Sequence, residues 1–319
     1  MSRILVVGST AYDVLLQCDG SFADGIRSGR EDMLSAVFLT STFARHHGGT
    51  GANIAWNLRL LQSDPLLVST VGSDGGPYRE LLSERGIDVT YVEKIDDDVT
   101  STAIIGTDAV EHQLGFFHAG ADARGTFPRL DDDRDDLTFA IISPRDERVM
   151  LHAVRWCKTF GVPYFFDPGQ RITSFAKDDL LRAIEGAYGL LCNEFEWSLL
   201  CEKTNITEKA ALKLTPRLII TRSERGVSCI TRDGTEDIPA CTPERVMNPT
   251  GAGDGLRAGL LFGLTAGWKI IDALRLGCSL ASFIVEIQGT LLDTLDRDEV
   301  GERVRRAYGG DLPVLSTKF

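Results

Sequence analysis

Asn248-Pro249-Thr250-Gly251-Ala252-Gly253-Asp254-Gly255, followed by an amphipathic run from Leu256 to Gly267, is the stretch on which the reading of this chain turns. Physically it is a tight turn that opens into a helix. Thr250 is suited to cap the helix N-terminus through its hydroxyl. Gly251 and Gly253 leave backbone N–H groups unobstructed, and the new helix adds the positive end of its dipole. A turn of this kind binds anions. Asp254 is the anomaly, because a carboxylate is repelled by the anion that such a turn holds. It makes sense there if it takes a proton from a hydroxyl that then attacks a phosphoryl group. Taken alone, the same stretch is equally a Gly-rich helix start whose Asp lies in the first turn for dipole reasons.

A second stretch, His47-Gly48-Gly49-Thr50-Gly51-Ala52-Asn53, also opens a helix, from Asn53 to Leu61. Together the two resemble the paired signatures of the ribokinase family of carbohydrate and nucleoside kinases. The early Gly48-Gly49…Asn53 matches the family's Gly-Gly-x-x-x-Asn, which meets substrate hydroxyls. The late motif matches from Thr250 to Asp254, with Pro249-Thr250 where Thr-x is commoner. The resemblance runs from Val6 to about Gly289. It implies a mostly parallel α/β sheet with helices on both faces, a small β-sheet lid over the substrate, and ATP as phosphoryl donor.

Composition bounds the possibilities. The 319 residues suffice for one large α/β domain or two ordinary ones, with a sizeable core. A hydrophobic share of 43% and a charged share of 25% suit a globular chain. A net charge of −12 argues against nucleic acid or an anionic membrane as partner, though not against a nucleotide. The seven cysteines are irregularly spaced with no Cys-x-x-Cys, so neither zinc nor a redox motif is indicated. Cys192 and Cys229 lie in apolar runs and read as buried. No apolar run reaches the ~20 residues that a membrane span needs. The chain enters a strand directly at Ile4-Leu5-Val6-Val7 with no signal peptide, and a reducing, cytoplasmic location is expected.

Along the chain, apolar runs at Ile4–Val7, Leu66–Val71, Phe139–Ser143, Tyr164–Phe166, Leu190–Cys192 and Leu218–Thr221 read as buried strands. Helices are expected over Pro77–Arg85, Asp146–Phe160, Asp178–Glu185, Glu194–Cys201 and Ala273–Ile287, and a hairpin flanks Asp233-Gly234. The texture changes at 14–45, where Ala36–Leu39 reads as a strand, and at 96–120, where Thr102–Ile105 and Gln113–His118 do. These two insertions are expected to build the lid. Residues 1–13, 46–95 and 121–319 are expected to form the large nucleotide-binding domain. Asp131–Asp136 reads as a solvated acidic loop rather than a metal site.

In open α/β sheets, ligands bind beyond the carboxyl ends of strands. Asp13, Asp167, Asn193 and Thr221 each sit just past or at the end of an apolar strand, so neighbouring parallel strands would bring them to one rim. Asp13 is either a partner for adjacent ribose hydroxyls, as the resemblance implies, or a polar residue entering a loop. Asn53 is a further hydroxyl partner or a first-turn Asn. Asp167-Pro168-Gly169-Gln170-Arg171 is similar to a family Asp-Pro-Asn-x-Arg segment, which assigns Gln170 and Arg171 to the substrate; a surface Arg171 is equally open. Asn193-Glu194-Phe195-Glu196 is similar to the family's Asn-x-x-Glu, which implies that Asn193 and Glu196 order water around Mg²⁺. A helix opening with acidic residues is the plain alternative. Thr221-Arg222-Ser223-Glu224-Arg225-Gly226 lies where the family holds ATP, with Ser223 in place of a Gly. The five histidines show no metal spacing, and His46-His47 read as loop.

Two absences and one departure remain. No P-loop and no dinucleotide fingerprint occur. The late motif begins with Asn248 where the family has Asp, so a monovalent cation near the anion hole is possible but doubtful.

These expectations combine into a kinase with Mg²⁺-ATP as donor and Asp254 as base. Gly251, Ala252 and Gly253 form the anion hole. Asp13, Gly48, Gly49 and Asn53 hold the sugar, with Phe116 or Phe117 on the base and Phe38 closing from a second side, unless all three aromatics are core of the lid. Asn193, Thr221, Ser223 and Gly226 meet ATP. The segments Gly8–Asp13, Phe116–Ala121 and Asp167–Gln170 look most like bacterial adenosine kinases, which makes adenosine the first substrate. A sugar kinase acting on ribose, fructose or fructose 6-phosphate is the alternative enzyme. A non-catalytic nucleoside sensor is the alternative from another class. A homodimer through the lid is expected.

Overall fold

The computed structural model describes residues 3–23, 36–130 and 132–313. In chain order the strands are β1 (Arg3–Val7), β2 (Ala11–Cys18), β3 (Thr40–Gly48), β4 (Asp64–Gly72), β5 (Val92–Ile95), β6 (Ser101–Thr107), β7 (Gln113–His118), β8 (Leu137–Ile142), β9 (Tyr164–Phe166), β10 (Gly189–Asn193), β11 (Leu218–Thr221), β12 (Val227–Thr231) and β13 (Gly234–Ile238). The α-helices are α1 (Thr50–Leu60), α2 (Gly76–Glu84), α3 (Glu147–Phe160), α4 (Lys177–Ile184), α5 (Glu194–Thr204), α6 (Glu208–Leu214), α7 (Ala252–Thr265), α8 (Ile270–Ile284) and α9 (Arg297–Tyr308).

The large sheet runs β13-β12-β11-β10-β9-β8-β1-β4-β5. It is parallel from β5 to β11, and the β12–β13 hairpin adds an antiparallel edge. β1 shows why a continuous apolar run is required at the centre. Ile4, Leu5, Val6 and Val7 are all fully buried. Leu5 and Val7 enter the core on one face, with Met150 and Val154 of α3. Ile4 and Val6 enter the core on the other, with Ile54 of α1 and Leu260 of α7. Each such side chain contributes about 1.5–3 kcal/mol on burial. Helix ends follow local chemistry: Asp146 accepts a hydrogen bond from the Arg148 N–H at 3.0 Å to start α3, and Gly161, at φ 69°, ends it.

The small sheet has the order β3-β2-β6-β7. Its register sorts side chains by face, since directly paired residues point the same way. Asp13 pairs with His46 and Ala103, and Ala103 with Phe117. On the other face, Val14 pairs with Arg45 and Ile104, and Ile104 with Phe116.

Several expectations need correction. Residues 36–39 are not a strand; the strand starts at Thr40, and Phe38 packs edge-on against Phe22 at 4.9 Å instead of reaching the cleft. β2 was not foreseen, because its mixed texture reflects a sheet with one wet face. His46 and His47 lie on β3, not in a loop, and the His47 ring sits against Tyr78 at 4.4 Å. Among residues 132–136, Asp133 is not simply solvated: it pairs with Arg3, which also binds Asp64 and Asp88.

Candidate active site

One cleft of about 920 Å³ lies between the small sheet and the carboxyl ends of the large sheet's central strands. Adjacent strands β9, β10 and β11 deliver Asp167, Asn193 and Thr221 to its rim, and the small sheet contributes Asp13, Ala103 and Phe117. Gly49, Asn53, Gln170, Arg171, Glu196, Ser223, Gly226 and the Gly251–Asp254 turn also line it. Gly48 and Phe116 do not. Gly48 lies behind Asp13, its carbonyl accepting a hydrogen bond from the Tyr78 hydroxyl at 2.9 Å, and Phe116 is on the opposite face of β7.

The Asn248–Asp254 turn differs in detail from its sequence reading. Thr250 does not cap α7. Gly251 is the capping residue, in the left-handed region at φ 84°, with no side-chain hydrogen bond. A Cβ there would stand 2.9 Å from that of Thr290, so both conformation and space demand glycine. The side chain that shapes the turn is Asn248, whose Oδ1 accepts from the Thr250 N–H at 3.0 Å. Ala252 donates its N–H to the Pro249 carbonyl at 3.3 Å, whereas the Gly251 and Gly253 N–H groups have no partner among the described residues. They are the donors left for an anion.

Asp254 is partly exposed at the cleft floor. Its Oδ2 accepts from the Asn53 amide at 2.7 Å, and the Asn53 Oδ1 lies 2.9 Å from the Thr290 hydroxyl. Burial pushes its carboxyl up to about 7; Arg257 and the Asn53 hydrogen bond pull it down, while Asp167 and Asp13 push it further up. Asp13 is likewise raised by burial, with His46 opposing. A carboxylate with proton affinity near neutrality, beside free backbone donors, can accept a hydroxyl proton at neutral pH.

At the other end, Asn193 and Glu196 form a capping box. The Asn193 Oδ1 accepts from the Glu196 N–H and the Glu196 Oε2 from the Asn193 N–H, both at 2.8 Å. Burial and then Asp167 raise the Glu196 carboxyl. No group of three His, Cys, Asp or Glu that could hold a metal occurs among the described residues. Asn193 and Glu196 offer one amide and one acid, each with an oxygen engaged in the capping box, and so fit only an ion that keeps its waters and takes oxygens from phosphate, as Mg²⁺ does. Ser223, which stands where the resemblance implies a Gly, has φ 52°, in the left-handed region that favours glycine.

Over residues 1–297 the chain matches the pfkB family of carbohydrate kinases. It belongs to that family. Among relatives of this pfkB member, the nucleoside kinase of Methanothermobacter thermautotrophicus is 29% identical, covering 98% of each chain. The structure of Burkholderia thailandensis nucleoside kinase in complex with inosine is 33% identical, with a TM-score of 0.85 over 97% of this chain and 99% of that one. The Methanocaldococcus jannaschii nucleoside kinase, described as an archaeal member of the ribokinase family, is 27% identical, with a TM-score of 0.84 over 96% of this chain and 99% of that one. The pfkB fold thus accounts for both sheets.

Sequence reasoning missed three parts of the cleft. Arg145, fully buried, lies 3.0 Å from Asp122 and donates to the Thr70 hydroxyl at 2.7 Å and the Val68 carbonyl at 3.0 Å. It lies just past β8, beyond Ser143 and Pro144, so an extension of the strand-end rule that singled out Asp167 would have found it. Arg257 forks onto Asp167, at 2.6 Å through Nε and 2.9 Å through Nη2. It is the one charged residue in the run Leu256–Gly267, which was its signal. The far end is walled by Cys278, Ala281, Ser282 and Val285, whose helical spacing on and just past α8 marks a single stripe. No helix among the described residues is long and apolar enough to cross a membrane.

Proposed function

We propose that this protein is an ATP-dependent nucleoside kinase that phosphorylates the 5′-hydroxyl of adenosine or a related purine nucleoside. The observation that carries the reading is the juxtaposition of the Asp254 carboxylate, poised near 7, with the uncommitted N–H groups of Gly251 and Gly253. The cleft volume of about 920 Å³ leaves room for two ligands end to end. Similarity to kinases whose structures hold inosine or ADP-inosine supports a nucleoside as the acceptor.

Asp254 takes the proton of the attacking hydroxyl, and Asn53 fixes the carboxylate's orientation through their 2.7 Å hydrogen bond. The Gly251 and Gly253 N–H groups, with Ala252 between them, face the charge that develops on the transferred phosphoryl. Asp13, Gly49 and Asn53 hold the ribose, with Gly48 setting the position of Asp13. Gln170 and Arg171 lie beside the acceptor, and Phe117 covers the base. Thr221, Ser223, Gly226 and Asn193 meet ATP. Asn193 and Glu196 would hold Mg²⁺ through water, and the ion when bound neutralises phosphate charge. The small sheet acts as the lid. The seven free cysteines support a reducing, cytoplasmic setting; a purine nucleoside as acceptor would give the enzyme a role in purine salvage.

A sugar kinase has no evident use for an exposed Phe117 ring on the same face of the small sheet as Asp13. A non-catalytic sensor has none for a near-neutral carboxylate at an anion turn. The test is phosphate transfer from ATP to adenosine, inosine, ribose, fructose and fructose 6-phosphate. Transfer to nucleosides with the sugars poor is expected. Efficient transfer to a sugar with nucleosides inert would replace the nucleoside reading and keep the kinase.

A further inference from the structure

Arg257 lies one helical turn beyond Asp254 on α7 and is only 8% exposed. Two of its guanidinium nitrogens are spent on both oxygens of Asp167, which is fully buried at the end of the central strand β9. The third, Nη1, has no hydrogen-bond partner among the described residues. It stands 2.7 Å from where a Cβ on Gly253 would be, directly against the anion turn. The fork thus ties the turn that carries Asp254 to the buried carboxyl end of β9, in the middle of the sheet. A lysine could supply the charge but not this geometry.

We propose that Arg257, anchored by Asp167, is a positioning residue for the phosphoryl transfer: it braces the Gly253 turn and supplies the fixed positive charge that keeps Asp254 ionised when the acceptor hydroxyl arrives. This rests on the reading of Asp254 as the base. The groups facing Asp254 are the Asn53 amide from α1, Asp13 from β2, Asp167 from the end of β9, the Tyr78 hydroxyl from α2, and Arg257 on its own helix. Only Arg257 among them carries a permanent positive charge. Burial works against that charge, but Asp167, Asp254 and Glu196 outweigh it and raise its proton affinity, so it does not titrate. The two members of the pair act on Asp254 with opposite sign, Arg257 lowering its proton affinity and Asp167 raising it.

That opposition makes the test. The kcat/KM for adenosine is measured against pH around neutrality in the wild type, Arg257→Gln, Arg257→Lys and Asp167→Asn, with a thermal melt of each. The acid limb reports protonation of Asp254 in the free enzyme. Arg257→Gln is expected to move it up by roughly 1–3 pH units, and Asp167→Asn to move it down. Arg257→Lys should leave the limb near the wild-type position yet lose about tenfold or more in kcat, because the fork is gone. Limbs that stay put, or that move in the same direction in Arg257→Gln and Asp167→Asn, overturn the proposal. If Arg257→Gln does not fold, Asp167→Asn and Arg257→Lys carry it: a limb unmoved in the first, or full kcat in the second, overturns it. Asp254→Asn run alongside separates the two readings. Near wild-type turnover there removes the base itself, whereas an inactive Asp254→Asn with unmoved limbs in the others refutes the role of Arg257 alone.

Discussion

Phe117→Ala should raise KM for adenosine about tenfold or more and leave KM for ATP nearly unchanged. The size follows from where the ring sits. Phe117 is on the face of β7 that shares Asp13 and Ala103, it lines the cleft, and it is 58% exposed in the free protein. Little packing is lost on truncation, so the melting temperature should barely change. A base covering the ring would gain ~1–3 kcal/mol by analogy with stacked bases in nucleic-acid binding. That range corresponds to roughly 5–150-fold in affinity. Phe116, 69% exposed on the opposite face, serves as the internal control, and Phe116→Ala should change KM for adenosine less than about twofold. The assay is initial-rate ADP formation, with adenosine varied at saturating ATP and then the reverse. A larger effect from Phe116→Ala than from Phe117→Ala, or none from either, would show that the base lies elsewhere and that the face assignment fails.

Asp254→Asn should keep the fold and nucleotide binding while lowering kcat by roughly 10²–10⁴, the range for a positioned general base; near wild-type turnover removes it from the mechanism. Because the ionised form accepts the proton and its value is about 7, wild-type kcat/KM should fall as pH drops below about 7 and level off above it, read from a pH–rate profile. Activity should depend less on potassium than in relatives with Asp at position 248, since Asn248 brings no charge to the expected cation site and its side-chain Oδ1 already accepts from the Thr250 N–H. A many-fold rise with potassium over a sodium control would contradict this. The outward face of the small sheet leaves Phe43 68% exposed beside Ile104 and Phe116, and light scattering should find a homodimer joined through it; a monomer at micromolar concentration ends that idea.

Much of the fold is legible along the chain because its signals are local. A strand buried on both faces must be apolar throughout, which is why β1, β9 and β11 can be bounded almost to the residue. A polar residue at the end of such a strand has few places to go but the sheet rim, and Asp167, Asn193 and Thr221 do meet there. The strands β2 and β3 escaped because a sheet wet on one face has no such uniform run, and its edges are set by pairing partners far away in sequence. Alternation along β7 meant that only one of Phe116 and Phe117 could face the cleft. Which one it is depends on registering β7 against β6 and β6 against β2, a relation between segments that no single segment contains. The same holds for the carboxylate at the heart of the site. Asp254 stood out from its neighbours in the chain as an acid beside an anion turn. Its proton affinity comes from burial and from Arg257, Asn53, Asp167 and Asp13, and three of those four come from elsewhere in the sequence, converging only when the chain is folded. Chemistry per residue is written in the order of the amino acids, while electrostatics falls off with distance in space, and only the tertiary structure sets those distances.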